Sequence, residues 1–188
     1  MKEIRTRRGP WYRSSGARFL VPLLIGVLVI AAGTVLLLPR PSPEAPVVRA
    51  AASEVLLTVA DIPQAGWGVW DSGTNGSGSW RLFAVHNELI LATLNVTLWV
   101  EADTHAARPA MDAIAHDLPY PLEDAGVPGS DGSLFGSYNF GQYAGMVVRR
   151  YNVVFLLSAH LESSFALTKS DLARWSGWQL TRVEAFAA

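Results

Sequence analysis

The chain has 188 residues, half of them hydrophobic, a formal net charge of −1 and no cysteine. Without cysteine there is no disulfide framework, thiol catalysis, lipobox or thiolate metal site. The near-neutral total conceals two opposed parts: the stretch 41–188 carries eight basic against fifteen acidic residues, a net charge of −7 that excludes nucleic acid as its partner.

The first 18 residues hold Lys2, Arg5, Arg7, Arg8, Arg13 and Arg18 against the single acid Glu3. From Phe19 to Leu38 the sequence FLVPLLIGVLVIAAGTVLLL contains no charge. As a helix this run spans about 30 Å, the thickness of a bilayer's hydrocarbon core, so a transmembrane helix is predicted over 19–38 with the lipid bilayer as its partner. Basic residues concentrate on the cytoplasmic side, which predicts a cytoplasmic tail over 1–18 and an extracytoplasmic C-terminal part at the cell membrane. Gly26 and Gly33 offer a seam for helix pairing without forming a GxxxG pattern. Ala50-Ala51-Ala52 satisfies an A-x-A cleavage rule, but the apolar run is longer than a signal peptide's and lies far upstream, so an uncleaved anchor is the expected form.

A proline-rich stalk is predicted over 39–52, because Pro39, Pro41, Pro43 and Pro46 cannot continue a helix. One domain follows over 53–188, long enough to bury its own core. Ser53 is read as the cap of a short helix from Glu54 to about Ala60, stopped by Pro63. Strands are predicted over 67–71 and 80–85, around a glycine-rich loop over 72–79. The clearest strand runs 89–101, with Ile90, Ala92, Leu94, Val96, Leu98 and Val100 on one face and Asn95, Thr97, Trp99 and Glu101 on the other. A helix is predicted from Pro109 to Leu118, then a loop over 122–137. A hairpin over 138–149 and 152–160 is expected to turn at Arg150-Tyr151, with Asn152 left-handed. A last helix runs from Thr168 to Phe186, opened by the pair Thr168 and Asp171. The fold class is therefore α+β: one N-terminal transmembrane helix followed by an antiparallel sheet covered by helices.

Reactive side chains do not converge in the sequence. His86, His105, His116 and His160 form no metal-ligand spacing, and the sequence predicts no catalytic residue, metal or cofactor. Asp103, His105, Asp112 and His116 are the only grouping from which a hydrolytic or metal-dependent site can be assembled. Glu123, Asp124 and Asp131 are too few oxygen ligands to make a calcium site by themselves. Asn75 and Asn95 each open an N-x-S/T triplet and are candidate glycosylation sites. The six tryptophans after the stalk exceed what one core face accommodates. Trp99, on the polar side of its strand, and Trp178, off the apolar stripe of the last helix, are the candidate ligand or partner surface.

Asp61-Ile62-Pro63 with Gly66-Trp67 resembles the D-L-P-x-G-W opening of extracytoplasmic domains in bacterial and archaeal membrane-anchored proteins and lipoproteins. Residues 147–154, VVRRYNVV, are similar to their V-V-R-x-G-N-V-V hairpin, with Tyr151 standing where those domains have glycine. One extra residue lies between Pro63 and Gly66. Such domains include those of mycobacterial lipoproteins and kinase sensor ectodomains, some with a PsbP-like α+β fold. The resemblance implies a surface binding or sensing module and supplies no catalytic residues. The predicted function is accordingly a single-pass, membrane-anchored, non-catalytic module for an envelope protein, lipid or glycan. A surface enzyme and a structural envelope subunit are the alternatives.

Overall fold

The computed structural model describes residues 45–86, 91–162 and 166–188. They lie in one compact unit, Ala45–Ala188. Its centre is a seven-stranded antiparallel sheet of order β1-β2-β3-β7-β6-β5-β4. The strands are β1 (Trp67–Asn75), β2 (Gly78–His86), β3 (Leu91–Val100), β4 (Glu123–Asp124), β5 (Gly132–Tyr138), β6 (Tyr143–Arg150) and β7 (Val153–Glu162). Three helices accompany them: α1 (Ala52–Val55), α2 (Thr104–His116) and α3 (Lys169–Phe186).

The α+β sheet covered by helices is present, and one part of the expected fold is corrected. No helix among the described residues is long and apolar enough to cross a membrane, and 19–38 lies outside those residues, as do Gly26 and Gly33. The longest helix, α3, is amphipathic and carries Lys169, Asp171, Arg174, Arg182 and Glu184, so it belongs on a sheet.

Period-two alternation gives the sheet two unlike faces. On the closed face, Phe83, Leu94, Val96, Leu98, Met146, Val148, Phe155 and Leu157 are fully buried in one core. Helices α1 and α3 cover that core with Val55, Leu172, Trp175 and Val183. Gln179 clamps the two helices together: its amide donates to the Val55 carbonyl at 2.9 Å, and its Oε1 accepts from Leu57 N at 2.8 Å. Thr168 caps α3 with Asp171 in a reciprocal box, as the sequence predicts. Gly66, at φ 93°, turns the chain so that Trp67 enters the core edge-on to Trp175 at 6.0 Å.

Four local expectations are revised. The predicted helix 54–60 is instead α1 followed by a separate 3₁₀ turn, Val59–Asp61, in which Asp61 accepts hydrogen bonds from the backbone and hydroxyl of Thr58. The glycine-rich stretch 72–79 is mostly strand, closed by a two-residue turn with Gly76 at φ 58°. Helix α2 begins at Thr104 and holds Pro109 in its interior, because Asp103 accepts from the amides of His105 and Ala106 at 2.8 Å each and Ala107 is fully buried. The expected loop 122–137 contains β4 and β5; the glycine at 136 that reads as loop punctuation is where Tyr120 and the Pro121 carbonyl lie against the strand.

The β6–β7 turn falls at Tyr151-Asn152, and Tyr151 rather than Asn152 is left-handed, at φ 54°. The strain is offset locally. Tyr151 N donates to Asp131 and its hydroxyl donates to Glu184, while Arg150 stacks on its ring at 4.1 Å. Asn152 is buried and binds the N-terminal segment, accepting from Val48 N at 2.7 Å and donating to the carbonyls of Val48 and Glu101. Val48, which the sequence assigns to the stalk, is thereby part of the core.

Candidate ligand-binding face

The second face of the sheet is open over half its width. Helix α2 seats Ala107 and Met111 on Val147 and Val154, covering the β6–β7 side. Over β1, β2 and β3 this face has no covering helix among the described residues.

Two indoles lie flat on that uncovered area. Trp80 on β2 pairs with Gly73 on β1, and an ideal Cβ on Gly73 would sit 3.0 to 3.1 Å from three atoms of the Trp80 ring. Trp99 on β3 pairs with Gly78 on β2, where a Cβ would meet Nε1, Cδ1 and Cε2 of Trp99 at 2.5, 2.7 and 3.0 Å. Each glycine therefore lies directly against its indole. The glycines are required: a side chain at either position would lift the ring off the sheet. Both tryptophans remain half-buried.

A second aromatic group crosses the far end of the same face. Tyr120, Tyr138, Tyr143 and His160 stack in a row, with successive centroids 5.4, 4.7 and 4.2 Å apart and interplanar angles of 22°, 13° and 12°. Tyr120 reaches this row from the segment after α2, lying over Gly136 and Gly145, where any Cβ would overlap it. Burial, with the neighbouring Tyr138, raises the Tyr120 hydroxyl above its ordinary pKa.

Thr93, Asn95, Thr97 and Ser158 lie between the two aromatic groups, because Thr93 pairs with His160 and Asn95 pairs with Ser158 across β3 and β7. No Asp, Glu, Lys or Arg occurs at the open-face positions from Trp80 to Ala84, Thr93 to Trp99, or Val154 to His160, and on edge strand β1 this face carries the exposed Asp71, opposite Leu82. The Asn95 Oδ1 is enclosed without a hydrogen-bond donor among the described residues.

Of the residues singled out in the sequence, Trp99 belongs to this face and Trp178 does not. Trp178 borders a hollow of about 360 Å³ on the helical side, with Asp61, Pro63, Arg182 and Phe186. There Arg182 is already committed to Asp61 at 3.3 Å and to the Glu54 carbonyl at 2.7 Å. Asn75 is exposed at the end of β1, whereas Asn95 lies in a central strand, where an attached glycan would stand on the aromatic face itself. Asp103 is spent as the α2 cap, and His105, Asp112 and His116 point to solvent from that helix. Glu123 pairs with Lys169 and Asp131 with Arg150, so both are held in structural ion pairs. No group of three or more His, Asp or Glu is arranged to hold a metal among the described residues.

Trp80, Tyr120, Tyr138, Tyr143 and His160 were not marked by the sequence pattern. The signal that could have found them is cross-strand placement: Gly73 lies beneath Trp80, Gly136 and Gly145 lie beneath Tyr120, and register aligns Tyr138, Tyr143 and His160. Comparison with protein-family models, curated proteins and solved structures finds no match to this chain.

Proposed function

We propose that residues 45–188 form a non-catalytic binding or sensing module on the extracytoplasmic side of the cell membrane, and that its ligand lies on the open face of the sheet. The observation that carries this reading is the pair of half-buried indoles, Trp80 and Trp99, each seated against a glycine on a part of the sheet that no described helix covers. Aromatic rings exposed in a fixed orientation supply contact area at low entropic cost, which is how binding surfaces are built. Dispersal of Asp103, His105, Asp112 and His116 speaks against the enzyme alternative, since catalysis needs groups converging within hydrogen-bond reach.

The extracytoplasmic placement rests on the arginines flanking the uncharged run 19–38. The resemblance to D-L-P-x-G-W domains also supports the reading. Tyr151 stands where those domains have glycine, and its backbone adopts the left-handed conformation that glycine favours. The test is recovery of the full chain and of a Trp80→Ala/Trp99→Ala variant from their native membrane, followed by mass spectrometry of co-purifying small molecules. A molecule retained by the parent and lost from the variant is expected. Equal retention, or clean recovery of both proteins, would contradict the proposal.

A further inference from the structure

Resting on the reading above, we infer that the ligand of the open face is a neutral oligosaccharide. The chemistry of the face selects it. Each indole is a flat, uncharged, partly exposed ring seated on a glycine, suited to the C–H face of a pyranose ring. Beside these rings stand the hydroxyls of Thr93, Thr97 and Ser158 and the amide Nδ2 of Asn95, neutral groups that exchange hydrogen bonds with sugar hydroxyls.

Competing classes fit less well. An anionic ligand would meet no positive charge on these positions, in a region of net charge −7. An acyl chain would desolvate the three hydroxyls and the amide without offering them partners. A flat protein surface is less suited to two rings held down on glycines than to protruding anchors. From Trp99 to Thr93 the strand covers about 20 Å at the usual rise, enough for a short chain of sugar rings running from the indoles to the Tyr143–His160 end.

The inference is tested on the purified full chain by calorimetric titration and tryptophan emission. The probes are cellotetraose, maltotetraose and chitotetraose, with tetragalacturonate as the charged comparator and phosphatidylcholine vesicles as the lipid comparator. At least one neutral tetrasaccharide is expected to bind and to change the indole emission. Trp80→Ala and Trp99→Ala should each weaken that binding at least about tenfold, the scale of a lost aromatic anchor. Trp178→Phe, on the helical side and outside this face, should stay within about threefold of the parent and serves as the folding control. Gly78→Ala, which forces the Trp99 ring from its seat, should also weaken binding.

Binding of vesicles or tetragalacturonate alone, with the same tryptophan dependence, would overturn the oligosaccharide assignment while leaving the face as the binding surface. Saccharide binding indifferent to both tryptophans would overturn both. No binding by any of the three neutral probes would overturn the oligosaccharide assignment.

Discussion

The two faces of the sheet are made by alternate residues of the same strands, yet they serve opposite ends. On the closed face the central rings and aliphatic chains are enclosed beneath α1 and α3, and Phe83 and Phe155 have no exposed surface. On the open face Trp80, Trp99 and Tyr120 lie over glycines, Tyr143 and His160 stack in a row with Tyr120 and Tyr138, and none of these rings is fully buried. Aromatics that only served stability would be enclosed, since burial is the source of their stabilising energy. The difference separates residues that hold the fold from residues that the fold holds in place.

Substitution should break the comparison most sharply at its centre. Phe155→Ala on the closed face is expected to cost about 3–5 kcal/mol, whereas Trp99→Ala on the open face should cost less than half as much, both read by chemical denaturation. Equal losses would mean that the open face is a core in its own right. Asn152→Ala should cost about 2–3 kcal/mol, because it leaves the buried Val48 amide without its acceptor. Gly145→Ala should cost about 1–3 kcal/mol by driving Tyr120 out of the stacked row, and near-ultraviolet circular dichroism should report the loss of that row.

A pH series sharpens the same contrast. Tyr151 is raised above its ordinary pKa by its hydrogen bond to Glu184 and by desolvation, and Tyr120 by burial and then Tyr138. Both shifts favour the protonated phenol in the fold. Their stabilisation is therefore complete below the unfolded tyrosine value of about 10 and is lost as pH rises through the folded values. Thermal melts should fall more steeply above that value for the parent than for a Tyr120→Phe/Tyr151→Phe variant, and parallel curves would contradict the assignment. The smallest effect belongs to the β5–β6 turn. Phe140 is 99% exposed at φ 55°, so Phe140→Asn should change stability by no more than about 0.5 kcal/mol in a denaturant titration.

The closed face was legible in the sequence because hydrophobic alternation in β3 and the capping box of α3 follow from local pattern. Trp99 was legible for the same reason, as an aromatic on the polar side of a strand. Trp80 and the tyrosine row were not, because Gly73 beneath Trp80 and the Tyr138–Tyr143–His160 alignment are pairings that exist only across strands. Strand β5 was hidden by its glycines, of which Gly136 makes room for Tyr120 rather than for a turn. Tyr151 misled the turn assignment because its left-handed backbone is supported by Asp131 and Glu184, partners distant in sequence.

The most direct test of the open face as an occupied binding surface works whatever the ligand is. Hydroxyl-radical footprinting of the full chain in intact cells and after purification compares the oxidation of Trp70, Trp80 and Trp99 by mass spectrometry. Trp70, 69% exposed at the bulge of edge strand β1, is the internal reference. Protection of Trp80 and Trp99 in cells, lost on purification while Trp70 stays constant, is the predicted result. Equal reactivity of Trp80 and Trp99 in the two settings would contradict the account.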